Sequence, residues 1–162
     1  MIAGIGLDIV ETERFAHALG SLEGLRKGGG GHFAERVFTP RELEACATRA
    51  DRIQALAARF AAKEACLKAL GSGLLGSALH DVEILSSRSG APQLRLTGAL
   101  AERARARGVR SAHVSLTHQP GLAAAVVILE GTRMRAASRP PRRRGGRGAA
   151  RWTLETVSSG TW

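Results

Sequence analysis

Arg59-Phe60-Ala61-Ala62-Lys63-Glu64-Ala65-Cys66-Leu67-Lys68-Ala69-Leu70-Gly71-Ser72-Gly73 reads as a helix that is buried on most sides yet carries charges at Lys63, Glu64 and Lys68. With successive residues about 100° apart, Leu56, Phe60, Leu67 and Leu70 fall on one stripe, and Ala57, Ala58, Ala61, Ala62, Ala65 and Ala69 fill the other side. The stripe seeks a core, and the alanine face admits the close approach of another backbone, as in the central helix of a small domain. The pattern starts near Asp51 and ends at Gly71-Ser72-Gly73, a flexible helix-terminating turn.

Spacing allows two readings of the charges. Glu64 and Lys68 can pair along the helix at i, i+4, worth a few tenths of a kcal/mol, while Lys63, inside the apolar stripe, extends its ammonium to water. Alternatively, the charges serve a ligand. Amino-acid usage favours the ligand, because the chain has 24 lysines and arginines together but only three lysines, Lys27, Lys63 and Lys68. A chain that uses arginine nearly everywhere else has placed compact ammonium groups here, as a phosphate or metal-diphosphate site would require.

The 162 residues, 44% of them hydrophobic, suffice for one domain with a real core. Aromatic residues make up only 4%, which argues against a reader of single-stranded nucleic acid that stacks bases on rings. No apolar run approaches the ~20 residues of a membrane span, and the N-terminus lacks the pattern of a secretion signal, so a cytoplasmic protein is expected. Cys46 and Cys66 lack metal-type spacing and read as buried free thiols. The net charge of +10 is uneven: residues 131–162 hold eight arginines against Glu155 and contribute +7. This segment, with Arg139-Pro140-Pro141-Arg142-Arg143-Arg144 at its heart, reads as a basic disordered tail beyond a domain of residues 1–130.

Along the chain, Met1 to Val10 alternates as a strand, with Ala3, Ile5, Leu7 and Ile9 on one face and Gly4, Gly6 and Asp8 on the other. The bare glycine face leaves room for a ligand to approach the backbone beside a lone carboxylate; capping of the next helix by Asp8 is the alternative. A helix over Thr12–Leu19 turns Arg14 and His17 to the surface, and Lys27 with Gly28 to Gly31 reads as a linker. Thr39-Pro40-Arg41-Glu42 is a capping box that starts a helix running to about Thr48. His80–Leu85 and Gln93–Leu96 read as a hairpin, and Thr97–Arg107 as a helix stopped by Gly108. His113 to His118 alternates, with His113, Ser115 and Thr117 on one face, and Leu122–Leu129 is an unbroken apolar strand suited to the centre of a sheet. One strand, then helices, then mostly antiparallel strands make an α+β domain.

Three stretches carry a family resemblance: Gly4-Ile5-Gly6-Leu7-Asp8-Ile9-Val10-Glu11; Phe60-Ala61-Ala62-Lys63-Glu64-Ala65 with Lys68 and Gly71-Ser72-Gly73; and His113-Val114-Ser115-Leu116-Thr117-His118. In this order they resemble the motifs of holo-[acyl-carrier-protein] synthases, small 4'-phosphopantetheinyl transferases, and the likeness extends over the chain except the tail. It implies transfer of the 4'-phosphopantetheine arm of coenzyme A to a serine of apo acyl carrier protein, releasing adenosine 3',5'-bisphosphate, in fatty acid biosynthesis. It implies Mg²⁺ held by Asp8 and Glu64, which suits a hard ion that keeps waters and binds diphosphate oxygens. Lys68 would meet the phosphates as a catalytic group. Arg59, Lys63, Gly71, His113 and Ser115 would contact the coenzyme, and Arg14 the acidic carrier protein.

Family members of this kind are homotrimers with sites between subunits, so one chain would supply Asp8 and Glu64 and its neighbour the third motif. Many relatives carry an acidic residue after the motif's last histidine, where this chain has Gln119. The general base is then His118 or a held water, and a hydrogen-bonded histidine at the sheet edge is the other reading of His118. A reading of a different class is a basic RNA- or partner-binding module that acts through the arginine tail.

Overall fold

The computed structural model describes residues 1–20, 32–73 and 78–132. The glycine linker and nearly all of the basic tail lie outside them. Three antiparallel strands form the main sheet, β1 (Ile2–Glu11), β4 (Val109–Gln119) and β5 (Leu122–Gly131), in the order β1-β5-β4. The apolar run at Leu122–Leu129 is therefore the central strand, as its composition requires. β5 continues to Gly131, whose carbonyl accepts from the N-terminal ammonium at 3.0 Å.

Between β1 and the hairpin come α1 (Thr12–Leu19), α2 (His32–Val37), α3 (Pro40–Cys46) and the long α4 (Arg52–Ala69). A 3-10 turn, Ala78–Asp81, leads to β2 (Val82–Ser86) and β3 (Pro92–Leu96), and α5 (Gly98–Ala106) returns the chain to β4. His80, read as the start of a strand, instead sits in the 3-10 turn, where its Nε2 meets the Glu35 carbonyl. The local signals hold elsewhere: the Thr39 capping box is complete, and Gly71 at φ +57° ends α4 with Ser72 N–H donating to Leu67 O and Gly71 N–H to Lys68 O. That double bond pattern is the Schellman termination.

α4 lies across one face of the main sheet and is buried along most of its length. All four phenylalanines gather near it: Phe15 and Phe60 have ring centroids 5.5 Å apart, with Phe33 and Phe38 edge-on to Phe15. Cys46 and Cys66 are buried free thiols, and burial pushes Cys66 up to about 12.

The glycine face of β1 has a different use from the one its bareness suggests. Gly4 and Gly6 face α4, not a ligand. A Cβ on Gly6 would overlap the Ala65 carbonyl oxygen and stand 2.8 Å from the Ala69 nitrogen; one on Gly4 would overlap the Ala69 carbonyl oxygen. The backbone that approaches the alanine face of α4 is thus that of β1. Asp8 does not cap α1, whose N-cap is Glu11 with no side-chain cap bond.

The other sheet face is open. Ile5, Leu7 and Ile9 are 58–60% exposed, and their register partners on β5 and β4 are Ile128 and His113, Val126 and Ser115, and Ala124 and Thr117.

Candidate active site

Close packing of β1 on α4 delivers Asp8, two residues beyond Gly6, to the flank of the helix. Lys68 Nζ donates to Asp8 Oδ1 at 2.7 Å and to the Leu7 carbonyl at 3.1 Å. Lys68 thus spans from helix to strand, where the spacing had offered a pair with Glu64 along the helix. Glu64 is half-buried, and burial, followed by the negative charge of Asp8, raises its carboxyl above the usual range while Lys68 opposes the shift. Two carboxylates beside one ammonium form an anionic pair suited to a cation. Among the described residues no group of three or more His, Cys, Asp or Glu could hold a metal ion. The pair nevertheless fits Mg²⁺, which takes one or two carboxylates and completes its shell with water and substrate phosphate oxygens.

Lys63 is not at this site. One residue before Glu64 and about 100° around the helix, it is fully buried, pairs with Glu42 Oε2 at 2.8 Å and donates to the carbonyls of Leu79, at 2.9 Å, and Val82. Its three N–H donors are thereby spent. Burial lowers its pKa, and the Glu42 charge opposes that shift. Neither a nucleotide contact nor an ammonium reaching for water is possible there. Sequence reading missed Glu42 as the counter-ion because the capping box already explained it; the same carboxylate accepts from Thr39 N–H at 2.8 Å and Ile84 N–H at 2.9 Å.

Arg59 is also largely buried, with its guanidinium donating to Ile84 O at 3.2 Å and Ala55 O at 3.0 Å. It still borders a cavity of about 480 Å³ whose other charged lining residues are Arg41, Glu44 and Arg49, with Arg41 paired to Glu83 and Arg49 to Asp51. Gly71 serves the helix turn, and Arg14 is exposed on α1. On the open sheet face His113 Nε2 lies 2.8 Å from Glu130 Oε2, an interaction that lowers the Glu130 pKa. Ser115, also exposed, shares that face.

His118 faces the other way, toward the start of α4, and its Nε2 is 3.4 Å from Asp51 Oδ2. Asp51 precedes Glu64 by 13 residues, about 20 Å along a helix axis. The single chain brings together Asp8, Glu64 and Lys68, and leaves His113, Ser115 and His118 apart from them.

Residues 4–127 match the family model described as the 4'-phosphopantetheinyl transferase superfamily. The chain belongs to this family. Among phosphopantetheinyl transferases it is 47% identical over 133 residues to the holo-[acyl-carrier-protein] synthase of Streptomyces griseus, covering 81% of this chain and all of the relative. It is 44% identical over 131 residues to that of Maridesulfovibrio salexigens, covering 80% and 99%. The fold is similar to the crystal structure of the Neisseria meningitidis enzyme, with TM-score 0.67 and 33% identity over 80% of this chain and 99% of that one. It is also similar to the Helicobacter pylori enzyme in complex with coenzyme A, with TM-score 0.62 and 31% identity over 78% and 99%. The α+β class expected from the order of elements is the architecture of this family.

Proposed function

We propose that this transferase is a holo-[acyl-carrier-protein] synthase, moving 4'-phosphopantetheine from coenzyme A to a serine hydroxyl of apo acyl carrier protein. The observation that carries the reading is the convergence of Asp8, Glu64 and Lys68 in a chain of this family. In the reaction the serine Oγ attacks the phosphorus that bears the pantetheine arm. The bond to the second phosphate breaks, the serine proton passes to a base, and adenosine 3',5'-bisphosphate leaves. Such a transfer needs charge neutralisation and positioning more than covalent help.

Asp8 and Glu64 would hold Mg²⁺, which when bound neutralises diphosphate oxygens. Lys68, with a side chain 53% exposed, can turn from Asp8 to a phosphate oxygen. Arg59, on the cavity it shares with Arg41 and Arg49, is the candidate contact for the nucleotide's phosphates. Arg14 is the candidate for docking an acidic carrier.

A homotrimer belongs to the same proposal. The open face built on Ile5, Leu7 and Ile9 is apolar surface that a second copy could cover, and His118 sits against Asp51 at the start of α4 rather than beside Glu64, so a neighbour's third motif would complete the site. Among the described residues no helix is long and apolar enough to cross a membrane, and we place the reaction in the cytoplasm. Mass spectrometry of an apo carrier protein after incubation with enzyme, coenzyme A and Mg²⁺ tests the proposal. The carrier should gain one phosphopantetheine arm, dependent on Asp8 and Glu64; an unmodified carrier would refute it.

A further inference from the structure

We propose that Gly6 is a positioning residue: by letting β1 rest on the backbone of α4 next to Glu64, it sets the gap across which Asp8 and Glu64 share one cation. The inference rests on the metal reading above and adds to it the element that fixes its geometry.

Same-face neighbours on a strand are about 6.5 Å apart, so Gly6 immediately precedes Asp8 on the helix-facing side of β1. The atom that a Gly6 Cβ would strike is the Ala65 carbonyl oxygen, one residue from Glu64 on α4. The closer of the two glycine contacts therefore lies beside both carboxylates, two residues before Asp8 and one after Glu64. Gly4 makes a similar approach one turn along, against Ala69, on the side away from Asp8. Beside Gly6 on the same face, its partner Val127 and the flanking Ala125 and Leu129 on β5 are buried against α4, so strand and helix meet there in one packed layer. Lys68 registers the same closeness, since one ammonium reaches both a carbonyl and a carboxylate of β1 from the helix. Mg²⁺ demands oxygens at about 2.0–2.1 Å in near-octahedral array, and misplacements of ~1 Å suffice to spoil a site. Restoring the ordinary contact distance of at least 3.4 Å for a Cβ at residue 6 would part strand and helix on that scale.

The test is direct binding of Mn²⁺, standing in for Mg²⁺, to the full chain by electron paramagnetic resonance, with melting followed in parallel. Gly6→Ala should weaken Mn²⁺ binding by about 10-fold or more, the usual cost of losing support around a metal ligand. Gly4→Ala should lower the melting point comparably but leave Mn²⁺ binding within about twofold of wild type, since its clash lies beyond the pair. Asp8→Glu and Glu64→Asp change reach by one methylene at partly exposed positions, and decide the matter even if Gly6→Ala fails to fold. Across a gap held by backbone contact each should also weaken Mn²⁺ by about 10-fold without a fall in melting point.

Mn²⁺ binding unchanged in Asp8→Glu, Glu64→Asp and any folded Gly6→Ala protein overturns the positioning role. Loss in Gly4→Ala equal to that in Gly6→Ala overturns it as well. Asp8→Asn separates the two claims. If it binds Mn²⁺ like wild type the metal reading itself fails; if it alone loses Mn²⁺, only the role of Gly6 fails.

Discussion

Replacing Lys63 with methionine tests whether this lysine supports the fold or the substrate. Its ammonium is matched by three acceptors, Glu42 Oε2 and the carbonyls of Leu79 and Val82, and lies 5.6 Å from the centre of the Phe38 ring. Both charged side chains of the pair have 0% exposure. Methionine fills similar space but leaves the Glu42 carboxylate buried with only the Thr39 and Ile84 N–H groups as partners, and it strips two carbonyls of a donor. Breaking a buried pair from one side costs about 3–5 kcal/mol, a large share of the ~5–15 kcal/mol that holds a domain folded. At a few degrees per kcal/mol for this size, the midpoint should fall by about 10–20 °C. Urea and thermal unfolding followed by circular dichroism read this directly. Glu42→Gln combined with Lys63→Met should recover part of the loss, because no uncompensated charge remains. A Lys63→Met protein within about 1 kcal/mol of wild type, but with a raised KM for coenzyme A, would refute the structural role.

Asp8→Ala and Glu64→Ala should each cost activity by a similarly large factor and the double change little more, since half a site holds no ion; multiplicative losses in steady-state kinetics would contradict a shared cation. Reversing Arg14 to Glu should raise the KM for carrier protein and flatten its salt dependence, with the KM for coenzyme A unchanged; equal effects on both would mark a structural role. Leu7→Asp, on the open sheet face, should give monomers by light scattering together with loss of activity, whereas an active variant of unchanged mass would remove the case for assembly through this face. Because the folded protein holds the Glu64 proton to higher pH than the unfolded chain, whose value is near 4.5, ionisation of Glu64 costs stability above its folded pKa and nothing below the unfolded one. Glu64→Gln without added metal should therefore melt higher than wild type at neutral pH and lose that advantage as the pH falls through the raised Glu64 value toward about 4.5, as melts across the range will show.

Short-range chemistry is legible in the chain because it acts between residues a few positions apart. Thr39, Pro40 and Glu42 announce the start of α3, Gly71 the end of α4 and Gly108 the stop after α5, since caps and turns depend on local backbone needs. The apolar run of β5 and the alternation of β1 likewise disclose the class of the fold, and the three motifs point to its family.

What tertiary structure decided is what each face meets. Periodicity puts Lys63 and Glu64 on neighbouring sectors of one helix, but only packing sends one into the core against Glu42 and the other out beside Asp8. The bare glycine face of β1 looks the same in sequence whether a ligand or a helix lies over it, and the contact with Ala65 and Ala69 settled that it is a helix. His118 shares a motif with His113 but lies on the α4 side of the sheet against Asp51, while His113 lies on the open face, because strand alternation separates even from odd positions by a whole sheet. A sequence specifies the periods of its elements locally; the partners of a charge or a glycine are set by contacts between segments distant in the chain, and those exist only once the sheet and α4 have come together.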